Sequence, residues 1–258
     1  MKTFIFLLFF NSCSVYATIV TFCYEDRNFP PYIFSTSNND QPKGLMIDLI
    51  LLSAKDAGFT VNLISKPWLR CQKLVKQNQA NALFAMIQTN ERSQIFAFPK
   101  NKNLQQPYLF QGEYAIFIQK NGPFDLDKTK QLLIDENGLN LDVYYPVAKH
   151  GLSAPLGYVV SKILEDKNVL SSLNLTPIQG LKFVANGKLD GFVIDRQIGT
   201  YLSKELKLEH KLTATKHSLL QTKWHAAFNK KFYQTNQKKI DEFWNAFEKH
   251  RSHLVNDL

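Results

Sequence analysis

Three apolar, β-rich runs in the first third of the chain alternate with two helix-like runs, and this alternation constrains the fold more than any other feature. The strand-like runs are "TIVTFCY" at 18–24, "TVNLIS" at 60–65 and "ANALFAMI" at 80–87. Between the first two, "GLMIDLILLSAKDAGF" places Leu45, Leu49, Leu52 and Ala57 near helical spacing, and Gly58 ends the run. Between the last two, "PWLRCQKLVKQ" carries Pro67 near a helix start, where a missing N–H is tolerated. A β-α-β-α-β order predicts a parallel sheet with right-handed crossovers. The third strand is apolar almost throughout, as a strand covered on both faces must be.

The rest of the chain repeats the theme. "EYAIFIQK" at 113–120 is strand-like, "LLIDENG" at 132–138 reads as helix, and "LDVYYPV" at 141–147 reads as strand. An amphipathic helix is expected within 155–169. The segment 176–206 reads as helix, Asn-Gly turn, strand, turn and helix, and 223–250 as strand then helix. In that last helix Ile240, Phe243, Trp244 and Phe247 share one face and are assigned to the core. "LVKQNQANALFAM" and "FVANGKLDGFVID" have one form, a helix end, a polar turn and a strand of equal length. They predict equivalent positions in two α/β lobes. Ligands bind at the carboxyl ends of strands in such sheets, so "IQTNER" and "DRQIG", which follow them, should face each other across a cleft.

The N-terminal residues read as an export signal. Lys2 precedes an apolar run from Phe4 to Phe10, and Val15 and Ala17 supply small residues before a cleavage site. The run is far short of the ~20 residues a spanning helix needs. A buried helix and a lipoprotein site at Cys13 are the rival readings. Residues 1–17 are assigned to the signal, and the remainder suits one large domain or two lobes of about 100 residues each. Hydrophobic content is 45 %, charged content 21 %, and formal net charge +9. The lysines are scattered, with only short pairs at Lys230-Lys231 and Lys238-Lys239, so the charge reads as a solvated surface. With export, this argues against a nucleic-acid partner. Cys23 and Cys71 remain, an even count in an exported chain, which suggests a disulfide. Two buried thiols are the alternative.

Catalytic signatures such as G-x-S-x-G, a P-loop or H-E-x-x-H do not occur. Glu25 and Asp26 are adjacent carboxylates near the expected cleft, a pairing able to do acid–base work when one pKa is raised. His250 and His253 share a helix face and are assigned to a solvated helix end rather than a metal site.

With "NFPPY" after the first strand, "GLMIDLI" opening the first helix, "PWLRCQKL", "TNER" then "FP", "PYL", and "GKLDGFVID", the chain resembles the type 2 periplasmic solute-binding proteins, the polar amino-acid-binding family. The likeness spans nearly the whole chain after residue 17. It implies an α/β fold of two lobes, each a mostly parallel sheet flanked by helices, joined by two hinge strands. It places lobe 1 at 18–110 plus 217–258 and lobe 2 at 111–216, with crossings near 110–118 and 211–228. It implies that Arg92 holds a ligand carboxylate, for which a planar, always-charged guanidinium fork is suited. It implies that Asp195 takes the ligand's ammonium group, that Phe29, Tyr32 and Trp68 line the pocket, and that Thr89 lends its hydroxyl or N–H. The bland alternatives are a salt bridge for Arg92 to Glu91 or Asp26, a helix cap for Asp195, and simple packing for Phe29 and Trp68.

Three departures bear on the ligand. "ALFAMIQT" lacks the serines many amino-acid binders carry there, Asn81 replaces an aspartate, and "AKHGLSAPLGY" replaces a glycine-threonine anion loop. Ser153, or N–H groups before Gly157, are the candidate substitutes for that loop. The expected ligand is a small amino acid or other carboxylate, with a peptide fragment or aromatic amine as variants. The resemblance further implies a monomeric periplasmic protein of a Gram-negative cell, without cofactor, serving an ABC permease or a sensor. Enzymes on this fold, cyclic-acid dehydratases and murein-cleaving transglycosylases, are one alternative and an orphan interaction or sensory protein the other, but the chain is assigned as a non-enzyme.

Overall fold

A computed structural model describes residues 18–34, 41–100, 106–125 and 132–256; the expected export signal, with Cys13, lies outside them. The β-α-β-α-β alternation forms β1 (Thr18–Glu25), α1 (Leu45–Asp56), β2 (Phe59–Lys66), α2 (Trp68–Lys76) and β3 (Ala82–Ile87). β1 runs parallel to both neighbours, with Thr18 opposite Phe59 and Phe22 opposite Ala82. β3 has five of its six residues buried, which is why its sequence is apolar on both faces. Pro67 caps α2 from outside, at φ −51°, where its missing N–H is not needed.

The chain continues through α3 (Asn90–Ile95), β4 (Phe96–Ala97), β5 (Gln111–Gln119), β6 (Ile134–Asp135), β7 (Gly138–Leu139) and α4 (Leu141–Tyr144). Next come β8 (Leu152–Ser153), α5 (Val159–Asp166), α6 (Pro177–Ala185), β9 (Gly191–Asp195) and α7 (Arg196–Glu205). The end is β10 (Leu212–Ala214), β11 (Leu220–Asn229), α8 (Lys230–Asn245) and α9 (Phe247–Asn256). The strand order is β2-β1-β3-β11-β5-β9-β8, with β10 on β5 and β4 on β11.

Strands β5 and β11 make the molecule two-lobed. They pair antiparallel, Leu220 opposite Tyr114 through Lys223 opposite Gln111. β11 then pairs with β3 on one side, and β5 with β9 on the other. Parallel pairs thus flank each lobe, β1 with β2 and β3, and β8 with β9, while two antiparallel strands cross between them. Where β3 meets β11 the register slips between His225 and Ala227, and Ala85 takes φ 61°. This bulge turns the end of β3 toward the cleft.

Three stretches differ from the sequence-based expectation. Residues 132–138 form a hairpin, β6 against β7, rather than a helix. Asp135 accepts the Asn137 N–H at 2.8 Å and the Asn140 amide at 3.1 Å, and these local bonds hold the turn. Residues 141–144 form a helical turn rather than a strand, because Asn140 accepts the Val143 N–H at 3.2 Å and caps it. The turn expected between "GFVID" and its helix is also missing: Asp195 ends β9 and caps α7 directly.

Ile240, Phe243, Trp244 and Phe247 are all buried, as their shared face requires. Phe22, Phe228 and Phe243 cluster around them with ring centroids 5.5–5.6 Å apart. Cys23 and Cys71 are disulfide-bonded and fully buried, Cα atoms 5.3 Å apart, tying β1 to α2. His250 bonds Asp56 at 2.8 Å and joins α9 to α1. Among the described residues, no helix is long and apolar enough to cross a membrane.

Candidate ligand-binding cleft

A cleft lies between the lobes, beside the crossing strands. Glu25, Phe29, Tyr32, Trp68, Phe84 and Arg92 line one wall; Tyr114, Tyr158, Ile194, Asp195 and Ile198 line the other, with Trp224 of β11 between them. The walls are aromatic and aliphatic in equal measure, with charged groups few and placed near strand or helix ends.

The first wall is built from segments that follow strands. After β1 the chain turns back on itself, Phe29 donating its N–H to Ile33 at 2.8 Å, and this presents Phe29 and Tyr32. The Tyr32 ring meets Trp224 edge-on at 5.0 Å, and its hydroxyl donates to Gln197 of α7 at 2.7 Å. Trp68 opens α2, and its indole N–H donates to the Gly157 carbonyl at 3.3 Å. Beyond β3, Thr89 caps α3 by accepting the Arg92 N–H at 3.2 Å. That occupies the Thr89 hydroxyl in capping, and Thr89 is not among the lining residues.

Arg92 projects from α3 into the cleft. Nη1 donates to the Ile87 carbonyl at 2.8 Å, and Nη2 reaches across to the Gly157 carbonyl at 2.9 Å. Its Cζ lies 6.0 Å from the Trp68 ring. Burial lowers the guanidinium below its usual value, while Tyr114 and Glu91 act in the opposite direction. Asp195, 2 % exposed, faces the same cleft from the end of β9. Its oxygens accept N–H groups from Glu113 at 2.9 Å, Gln197 at 3.1 Å and Ile198 at 3.2 Å. Asp195 is therefore a helix cap and a cleft residue at once. Burial pushes its carboxyl up, and the three N–H donors pull it down.

Four polar lining groups, Tyr114, Trp224, Tyr158 and Glu25, had no assigned role in the sequence or a different one. Tyr114 and Trp224 come from the crossing strands, Trp224 donating to the Tyr114 hydroxyl at 3.1 Å. Nothing in a strand pattern says which face will border a cleft. Tyr158 stands in the "APLGY" segment considered for an anion loop, but the carbonyl of Gly157, not an N–H, is what Arg92 and Trp68 grip. Ser153 is buried in β8, donates to Leu173 at 3.2 Å, and is not among the lining residues. Glu25, noted only as one of two adjacent acids, is 8 % exposed and accepts from the Tyr158 hydroxyl at 2.6 Å. Burial pushes its carboxyl up to about 7; Tyr158 and Arg27 pull it down, and Asp26 pushes it up.

Two α/β lobes joined by paired crossing strands, with a side-chain-lined cleft at the strand ends, define a type 2 solute-binding protein. The chain belongs to the bacterial extracellular solute-binding proteins, family 3, whose sequence model matches residues 21–166. Among solved structures it is similar to a histidine kinase sensor domain with similarity to periplasmic binding proteins. That likeness has a TM-score of 0.72 at 18 % identity, over 92 % of this chain and 95 % of the other. It is similar to the amino acid ABC transporter substrate-binding protein AbpA from Streptococcus pneumoniae, bound to L-arginine. There the TM-score is 0.69 at 14 % identity, over 93 % of each chain. It is also similar to the ancestral amino acid-binding protein AncCDT-1, a precursor of cyclohexadienyl dehydratase. The values are 0.67 and 16 %, over 93 % of this chain and 94 % of that one. At such identities the likeness carries the fold alone. No curated protein sequence matches the chain.

Proposed function

We propose that the protein captures a small amino-acid-like carboxylate between closing lobes and hands it to an ABC permease or a sensor. The observation that carries this reading is that Arg92 and Asp195 line one cleft from opposite walls, amid aromatic rings. A guanidinium suits a carboxylate and a buried aspartate suits an ammonium group, while Phe29, Tyr32 and Trp68 cover the ligand body. In the closed arrangement Nη2 of Arg92 holds the Gly157 carbonyl, so an entering carboxylate takes over that donor. Lobe 1 comprises 18–110 plus 217–258 and lobe 2 comprises 111–216, swinging about β5 and β11. Residues 1–17 direct export to the periplasm, where the protein acts as a monomer. Its role is binding rather than turnover. The neighbour that is a histidine kinase sensor domain supports sensing as the alternative to transport.

Denaturing the purified protein and identifying the released solute by mass spectrometry tests the reading. A small carboxylate is expected; if none is released and no standard amino acid raises the melting temperature, the reading falls. Calorimetry with the identified solute should show Arg92→Ala binding at least about tenfold more weakly, because a desolvated carboxylate loses its charged donor. Unchanged affinity removes Arg92 from the site.

A further inference from the structure

Solute capture as proposed leaves one buried ionisable group of the cleft unused. Glu25 ends β1 on the first wall, and its Oε2 accepts from the hydroxyl of Tyr158, which caps α5 on the second. The preceding residue, Gly157, is held from the first wall by Arg92 Nη2 and the Trp68 indole N–H. Gly157 has φ +80°, and a Cβ there would lie 2.4 Å from Leu69 Cδ2, so the α2 end fits closely over this segment. The Trp68 ring packs edge-on against Tyr158, centroids 6.3 Å apart. Three side chains of one lobe thus grip two consecutive residues of the other.

We propose that this contact is a proton-linked latch, in which closing the lobes loads a proton onto Glu25, so that mild acid favours the closed form and alkali releases it. The latch goes beyond solute capture and acts on the empty protein.

Closure takes the Glu25 carboxyl out of water and places it under Tyr158, where burial is the largest influence and raises it to about 7. The groups around it are Arg27, with Nε 3.7 Å from Oε1, Asp26 beside it in the chain, and Lys66 opposite it on β2. Arg92 of α3 shares its wall, and Tyr114 of β5, Tyr158 at the head of α5 and Asp195 of β9 line the opposite one. Arg27 and the Tyr158 hydroxyl favour the charged form, Asp26 opposes it, and burial outweighs Arg27 and the hydroxyl together. The closed form therefore binds more protons than the open form between the ordinary carboxylate value, 4.5, and about 7. Closure is strongest below that window and is lost as pH rises through it. Between pH 5 and pH 8 the closed-to-open ratio should fall on the order of 50-fold. His225, pushed down by burial to about 4, titrates below this range.

Small-angle X-ray scattering of the solute-free protein at pH 5 and pH 8 tests the latch. The wild type should be smaller at pH 5 and expand at pH 8. Glu25→Gln, which keeps the shape of the protonated acid, should show no expansion. Tyr158→Phe should open more at both pH values yet remain pH-dependent, because burial and not the hydroxyl raises the carboxyl. Equal radii of gyration for the wild type at both pH values overturn the proposal, as does full pH dependence in Glu25→Gln. Should the glutamine variant not fold, carbon-13 NMR of the Glu25 carboxyl in the wild type decides. Titration near 7 supports the latch, and titration near 4.5 overturns it. Each of these readings is taken without solute, so failure of the latch leaves the capture reading standing, and the reverse.

Discussion

Gly44 shows how one residue holds the cleft-facing turn. It precedes α1 at φ +121°, and a Cβ there would lie 2.5 Å from the Tyr32 carbonyl oxygen. That carbonyl accepts the Met46 N–H at 3.0 Å, so the turn bearing Phe29 and Tyr32 is fastened to the helix start. No side chain fits this conformation and this approach together. Gly44→Ala should therefore destabilise the fold by about 2–4 kcal/mol, read as a lower urea midpoint at unchanged slope. Arg92 and Asp195 illustrate the other side of single residues. The family resemblance implied that they grip one ligand across a cleft, with a helix cap as the alternative for Asp195, but not that Arg92 would spend its donors on backbone carbonyls. The most distant backbone partners of the two side chains lie 65 and 82 residues away.

At the scale of elements, α7 depends on Asp195 for its cap, and the same carboxylate is the proposed ammonium ligand. The two roles separate in Asp195→Asn, since asparagine caps about as well as aspartate but carries no charge. Circular dichroism should show a melting temperature within a few degrees of the wild type, while affinity for the identified solute falls about tenfold or more. Retained affinity would make Asp195 a cap alone. The bond between Cys23 and Cys71 closes a loop of 48 residues between β1 and α2. Replacing both with alanine should lower the unfolding free energy by roughly 2–4 kcal/mol, measured in urea. Patterns of 3.6 and 2 made the long elements legible, from β1 through β3 and from α6 through α8. The short ones between 132 and 147 were not, because there Asp135 and Asn140 bond the neighbouring backbone and override propensity.

On the scale of the whole molecule, everything the cleft does passes through β5 and β11. These strands carry Tyr114 and Trp224 into the site, and they are the pairing by which the two lobes meet. A solute bound only by the closed form stabilises that form by mass action, about 2.7 kcal/mol at a hundredfold excess over Kd. The melting temperature should accordingly climb with concentration of the identified solute, and a flat response would mean that the native protein does not bind it. Taken alone, the sequence determined the alternation of strand and helix, the burial of β3, the apolar stripe of α8 and the choice of cysteines to pair. Each follows from local periodicity or from counting, and needs no knowledge of distant neighbours. Only the tertiary structure decided that Tyr114, Tyr158 and Glu25 border the cleft, and that the Tyr158 hydroxyl donates to Glu25, 133 residues away. Burial and long-range hydrogen bonds set those properties, and both arise only once two lobes are brought together.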